Sequence, residues 1–166
     1  MSSLEIERKF LVRTPPPGLD ACPHDEIVQG YLVLAEDGGE VRLRRKGDRY
    51  VQTVKSGHGR VRAEVEVDLT RAQFEALWPA VPYPAVEKVR YEIPYQGHLI
   101  ELDVYHGALE GLLTAEVEFD SLAASEAFAP PAWFGTEVTD DRRYRNRELA
   151  RSGMPESAND EGRRPK

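Results

Sequence analysis

Carboxylates spaced two apart recur along this chain. Glu5 and Glu7, Glu64 and Glu66, Glu101 and Asp103, and Glu116 and Glu118 are all acid-x-acid pairs. In an extended strand alternate side chains share a face, so the members of each pair lie together, about 7 Å apart. Two such pairs brought near one another can converge oxygen ligands on a divalent ion, and all-oxygen ligation points to Mg2+ or Mn2+. The basic residues keep the same spacing: Lys9 follows Glu7, Arg42 precedes Arg44, Lys88 precedes Arg90, and Lys55 shares a face with Thr53. Forked Arg donors and point-charge Lys suit a run of phosphates. Together the two sets describe a metal-polyphosphate site.

The elements that must carry these residues are strands with one charged and one apolar face. In the first, Glu5, Glu7 and Lys9 oppose Ile6, Phe10 and Val12, with Arg8 the exception. The alternation recurs around Arg42, Lys55, Glu64, Lys88, Glu101 and Glu116, with Arg62 and Asp68 extending the Glu64 segment. A solvated sheet face explains any one of these segments. It does not explain their sorting into basic strands and acidic strands. If the sheet curls so that this face lines a lumen, each unpaired charge there would cost several kcal/mol, and a counter-ion or ligand is required.

Residues 26–34 add an eighth strand, and the turn signals at Asp37, Gly38 and Gly39, at Gly47 and Asp48, and at Gln96 and Gly97 are of the hairpin kind. Thr70 reads as a helix N-cap for residues 71–78, residues 121–128 as a second helix, and Asp140 and Asp141 as the start of a third that runs through Leu149. Mostly antiparallel strands with three short helices predict a mainly β (α+β) fold, a barrel or strongly curved sheet of eight strands with helices covering its apolar face.

With 166 residues, 40% of them hydrophobic and 31% charged, the chain has the size and composition of one soluble domain. Residues 1–151 are expected to form it, with the polar residues 152–166 as a disordered tail. The net charge of -7 argues against a general nucleic-acid clamp. Cys22 stands alone, which excludes an internal disulfide and a paired-cysteine zinc site. There is neither an apolar leader nor an apolar run near the ~20 residues of a membrane span. A cytoplasmic protein without membrane or nucleic-acid partners is expected.

Glu5-x-Glu7-x-Lys9, Gly30-Tyr31-Leu32, Val41-Arg42-Leu43-Arg44, Lys55, Glu64-x-Glu66, Glu87-Lys88-x-Arg90-Tyr91, Glu101-x-Asp103, Glu116-x-Glu118, and Glu137-Val138-Thr139 through Tyr144 together resemble the CYTH proteins, the triphosphate tunnel metalloenzymes. The resemblance covers roughly residues 3 to 150. It implies a closed antiparallel eight-stranded tunnel and divalent-metal-dependent hydrolysis of triphosphates, typically inorganic tripolyphosphate in the short bacterial members. It further implies Glu5, Glu7, Glu116 and Glu118 as metal ligands, and Glu64, Glu66, Glu101 and Asp103 as further acidic tunnel residues. Lys9, Arg42, Arg44, Lys55, Lys88 and Arg90 would hold the phosphates, and Tyr31 and Lys88 stand where a Tyr and Lys pair is proposed to act in catalysis.

Competing readings stand beside these. Tyr31 can be a wall or core aromatic, and Tyr144 and Asn146 can pack rather than contact the tunnel. His58, His98 and His106 read as surface loop residues, Arg45 and Lys46 as tunnel-mouth or surface residues, and Trp78, Trp133 and Phe134 as core. Nucleotide or thiamine triphosphate hydrolysis and ATP cyclisation are alternative activities on the same fold, and a non-catalytic polyphosphate- or nucleotide-binding module is an alternative of another class. The sequence is compatible with a monomer or a homodimer.

Overall fold

A computed structural model describes residues 6–56 and 63–156. Glu5, Arg62 and His58 therefore lie outside the described residues, as do residues 157–166. The strands are β1 (Ile6–Val12), β2 (His24–Leu34), β3 (Glu40–Lys46), β4 (Arg49–Ser56), β5 (Ala63–Leu69), β6 (Val86–Tyr95), β7 (His98–His106), β8 (Leu113–Phe119) and β9 (Phe134–Glu137). The helices are α1 (Arg71–Leu77), α2 (Leu122–Ala127) and α3 (Asn146–Ser152). All strands join one antiparallel sheet in the order β5-β4-β3-β2-β6-β7-β8-β1-β9.

The mainly β architecture with short covering helices is as expected, with two differences. Among the described residues the sheet has nine strands rather than eight, and its edge strands β5 and β9 do not pair with each other, so the barrel is curled but open. β9 has four residues and meets β1 only at Phe10 with Glu137 and Val12 with Phe134, across a shift in register. It is too short and irregular to offer a second row of backbone partners. At the other edge β5 is exposed along nearly its whole length and carries Glu64, Glu66 and Asp68, charges of the kind that keep an edge strand from pairing further.

Register confirms the sorted face. Tyr31 lies opposite Arg42, Arg42 opposite Thr53, Arg90 opposite Asp103, Glu101 opposite Glu116, and Glu116 opposite Lys9. Two apolar clusters hold this sheet in its curl. On the outer face Phe10, Val12, Ile100, Leu102, Val117 and Phe119 pack with Phe128, just beyond α2. At one end of the inner face Tyr31, Val86 and Tyr105 pack against Val138, Tyr144, Leu149 and Ala150, so α3 fills that part of the lumen with hydrocarbon. Met154 joins the same cluster and Pro155 is buried, which carries packed structure past residue 151.

Arg8, the charge on the apolar side of β1, binds Glu137 of β9 through both carboxylate oxygens at 2.7 and 3.1 Å. It also donates to the Ser125 and Phe128 carbonyls at 2.9 and 3.4 Å and lies over the Phe10 and Phe128 rings. Its charge is paired and its stem is packed, so its position costs little. Thr70 caps α1 as expected, in a reciprocal capping box with Gln73. Trp78, half-buried, sits so close to β2 that a Cβ at Gly30 would meet its ring at 2.9 Å. The third helix differs from expectation: a 3-10 turn (Arg142–Tyr144) precedes α3, and Arg145 between them is extended, with φ -70 and ψ 140. No helix among the described residues is long and apolar enough to cross a membrane.

Candidate active site

The curl turns the two arms of the sheet toward each other around a cavity of about 380 Å³. One wall, from β2, β3 and β4, contributes Tyr31, Glu40, Arg42 and Lys55. The facing wall, from β1 and β8, contributes Glu7, Lys9 and Glu116. The segment from Val138 to Arg147 closes the remaining side. Strand alternation supplies the polarity of these walls, but only the curl makes them face.

The expected basic residues divide into two groups. Arg42 and Lys55 line the cavity and have no ion-pair partner among the described residues, and the buried Nε of Arg42 makes no hydrogen bond. Lys9 also lines it, donating from Nζ to the Tyr144 carbonyl at 2.6 Å; burial foremost holds its ammonium below the ordinary lysine value, against the pull of Glu116, Asp103 and Glu7. Lys88, Arg90 and Arg44 do not line it. Lys88 Nζ is 2.8 Å from Asp103 Oδ2, with 0% of its side chain exposed. Arg90 grips both Asp103 oxygens at 2.8 and 2.9 Å and reaches Glu101 at 2.9 Å. Arg44 donates to Gln29 Oε1 at 3.0 Å, and burial, with Arg42 and Arg90 nearby, pulls it down to about 10.

Loss of water, together with Arg90 and Arg44, outweighs Asp103 and brings the Lys88 ammonium down to about 7. Burial alone would raise Asp103, but Lys88 and Arg90 together hold it well below the usual carboxylate range. Asp103 and Glu101 are thus engaged by cations of the sheet itself. Glu64 and Glu66 are exposed on β5 and stand outside the cavity lining.

Of the expected metal ligands, Glu7 and Glu116 come together. Burial pushes the Glu116 carboxyl up, but its hydrogen bond with Glu7 and the charges of Lys9 and Arg90 bring it below the ordinary value. Glu118 lies opposite Glu7 in register, and both are exposed. No three His, Cys, Asp or Glu side chains form a ligand cluster among the described residues. A carboxylate pair nevertheless fits Mg2+ or Mn2+, because Mg2+ is commonly held by one or two carboxylates, its remaining positions going to water and substrate phosphate.

Tyr31, 1% exposed, touches the cavity with its hydroxyl 3.3 Å from Gln29 Nε2. Burial holds the phenol above its ordinary value, with Arg42 and Arg44 pulling the other way, so it keeps its proton at neutral pH; its oxygen accepts from Gln29 Nε2, which leaves the O–H available as a donor. Sequence reading left Asn146 open between packing and tunnel contact. It does both, accepting at Oδ1 from Lys88 at 3.3 Å and from the Tyr105 hydroxyl at 2.9 Å. Arg145 and Arg147 line the cavity and were missed. They lie on the closing segment rather than on an alternating strand, and strand periodicity gives no signal there. His98 packs against Phe119 and Phe128, and His106 is exposed beside Glu110.

An antiparallel sheet curled around opposed cations and carboxylates defines a tunnel-type protein whose cavity suits a polyanion and a hard cation. The chain matches the CYTH domain over residues 3–145 and belongs to that family. It is 51% identical over 151 residues to an inorganic triphosphatase of Nitrosomonas europaea, spanning 89% of this chain and 97% of that one. It is 36% identical over 151 residues to an inorganic triphosphatase of Acetivibrio thermocellus, spanning 89% and 94%. The crystal structure of the inorganic triphosphatase NE1496 matches with a TM-score of 0.76 at 46% identity, covering 93% of this chain and 98% of that one.

Proposed function

We propose that this protein hydrolyses inorganic tripolyphosphate to pyrophosphate and phosphate in the cytoplasm, with Mg2+ or Mn2+. The observation that carries this reading is the pairing of Arg42 and Lys55, cations without an ion-pair partner among the described residues, with the Glu7 and Glu116 carboxylates on the opposite wall of one cavity. Family membership and the relatives' names as inorganic triphosphatases support it.

Arg42, Lys55 and Lys9 bind the phosphate chain, and Tyr31 donates a hydrogen bond to it. Glu7 and Glu116, with Glu5 and Glu118 from the sequence pattern, would hold the divalent ion, which when bound neutralises phosphate charge. Positioning and charge stabilisation are what phosphoryl transfer mainly requires. Lys88, expected beside Tyr31 in catalysis, acts from behind the wall through Asp103, Arg90 and Asn146. Lys55 stands in the cavity with Tyr31 and takes the nearer role.

The test is phosphate release from tripolyphosphate, ATP and thiamine triphosphate, each with Mg2+, with Mn2+ and with chelator. The expected result is fast, metal-dependent release from tripolyphosphate, abolished in a folded Glu116→Gln variant. Cyclic AMP from ATP, or binding without turnover, would replace the reading by cyclisation or by a binding module.

A further inference from the structure

Residues 144–147 bridge the walls of the cavity, and three of the four are pinned. The Tyr144 carbonyl accepts from Lys9 of β1 at 2.6 Å. Asn146 accepts from Lys88 of β6 at 3.3 Å and from Tyr105 of β7 at 2.9 Å. Arg147 donates to the Gly38 and Ala35 carbonyls of the turn between β2 and β3 at 2.8 and 3.0 Å. Arg145 differs. It lines the cavity, is exposed, and its guanidinium has no hydrogen bond or ion pair among the described residues. The carboxylate on the same rim, Asp141, does not serve it, because Arg143 holds both Asp141 oxygens at 3.0 and 2.6 Å.

The pins fix the backbone on either side of a forked cation that has no ion-pair partner among the described residues, on an exposed residue of the cavity that Tyr31, Arg42 and Lys55 also line. We propose that Arg145 is a specificity-determining residue that grips the outward terminal phosphate of a linear triphosphate, so that the site prefers a chain with a free phosphate at both ends to one that ends in an ester. The inference rests on the triphosphatase reading above and deepens it.

The chemistry follows from the fork. A terminal phosphate offers several unesterified oxygens, and a guanidinium can take two of them in parallel. In a nucleoside triphosphate bound by its free end, the outward phosphate has lost an oxygen to the ester and carries less charge. Its nucleoside would also have to pass residues 144–147, which are tied to β1, β6, β7 and the turn between β2 and β3. The cavity, at about 380 Å³, lies toward the small end of ligand pockets.

The experiment compares the full chain with Arg145→Ala and Arg145→Lys, using tripolyphosphate and ATP with Mg2+. Phosphate release gives kcat/KM, and titration calorimetry gives Kd. The expected result for Arg145→Ala is a loss of about 10- to 100-fold in kcat/KM for tripolyphosphate, with less than about threefold for ATP. Arg145→Lys, which keeps the charge but not the fork, falls between. Equal losses on both substrates, or no loss on tripolyphosphate, overturn the proposal. If the wild-type protein binds tripolyphosphate without releasing phosphate, the hydrolase reading falls and the ratio of Kd values decides Arg145 alone. If it binds neither anion, both fall.

Discussion

Replacing Asp103 by Asn removes one negative charge from beside the buried Lys88 and the half-buried Arg90 while leaving the side-chain volume almost unchanged. Arg90 keeps Glu101 at 2.9 Å. Lys88 has no second carboxylate among its described partners: its Nζ, now 2.8 Å from Asp103, retains Asn146 at 3.3 Å. Breaking a buried pair from one side costs about 3–5 kcal/mol. Lys88 already sits near 7 and can shed its proton, so the loss at neutral pH falls at the lower end, about 3 kcal/mol. For a chain of this size that lowers Tm by roughly 6–12 °C. Urea unfolding at neutral pH, followed by Trp78 and Trp133 fluorescence, measures the loss. The same substitution made in a Lys88→Met background is expected to cost at least about 1 kcal/mol less, because no orphaned ammonium remains. A loss below about 1 kcal/mol, or costs that simply add, would refute the electrostatic unit described.

The same lysine makes a pH prediction. Its folded value near 7 lies below the ordinary 10.5, so the unfolded chain binds more protons between those values. The penalty for burying the charge is therefore full below pH 7 and fades as pH rises, and this group's contribution to stability increases up to about pH 10; Lys88→Met should flatten that rise in urea titrations. Gly135→Ala should cost about 1–3 kcal/mol, because its Cβ would meet the Leu11 carbonyl oxygen at 2.8 Å and push β9 from β1; an unchanged urea midpoint would contradict that contact. Lys55→Met should reduce kcat/KM on tripolyphosphate by about 10-fold or more with stability unchanged, since its ammonium lines the cavity and has no ion-pair partner to lose among the described residues; wild-type kinetics would remove it from the site.

The charged face was legible in the sequence because strand alternation is local. A period of two places Arg42 with Arg44, Glu101 with Asp103, and Glu116 with Glu118 whatever the rest of the chain does. The same periodicity, together with the ordered motifs, was enough for the mainly β class and the family. Helix α1 was equally legible, since Thr70 and Gln73 form their capping box within four residues of one another.

Which charges meet was a different matter. Lys88 and Lys55 have the same residue type and the same face, yet one is buried against Asp103 and the other lines the cavity. That separation depends on strand order and curl, which place β6 beside β7 and turn β4 toward β1. The open edges were likewise set by the poor register of β9, and the roles of Arg145, Asn146 and Arg147 by a closing segment whose extended residue at Arg145 splits what the sequence alone reads as one helix. Sequence determined the chemistry available on each strand, because that needs only neighbours two residues apart. Tertiary structure decided which of those groups neutralise one another and which are left for a ligand, because Coulomb interactions depend on distances in space and on water removed by packing.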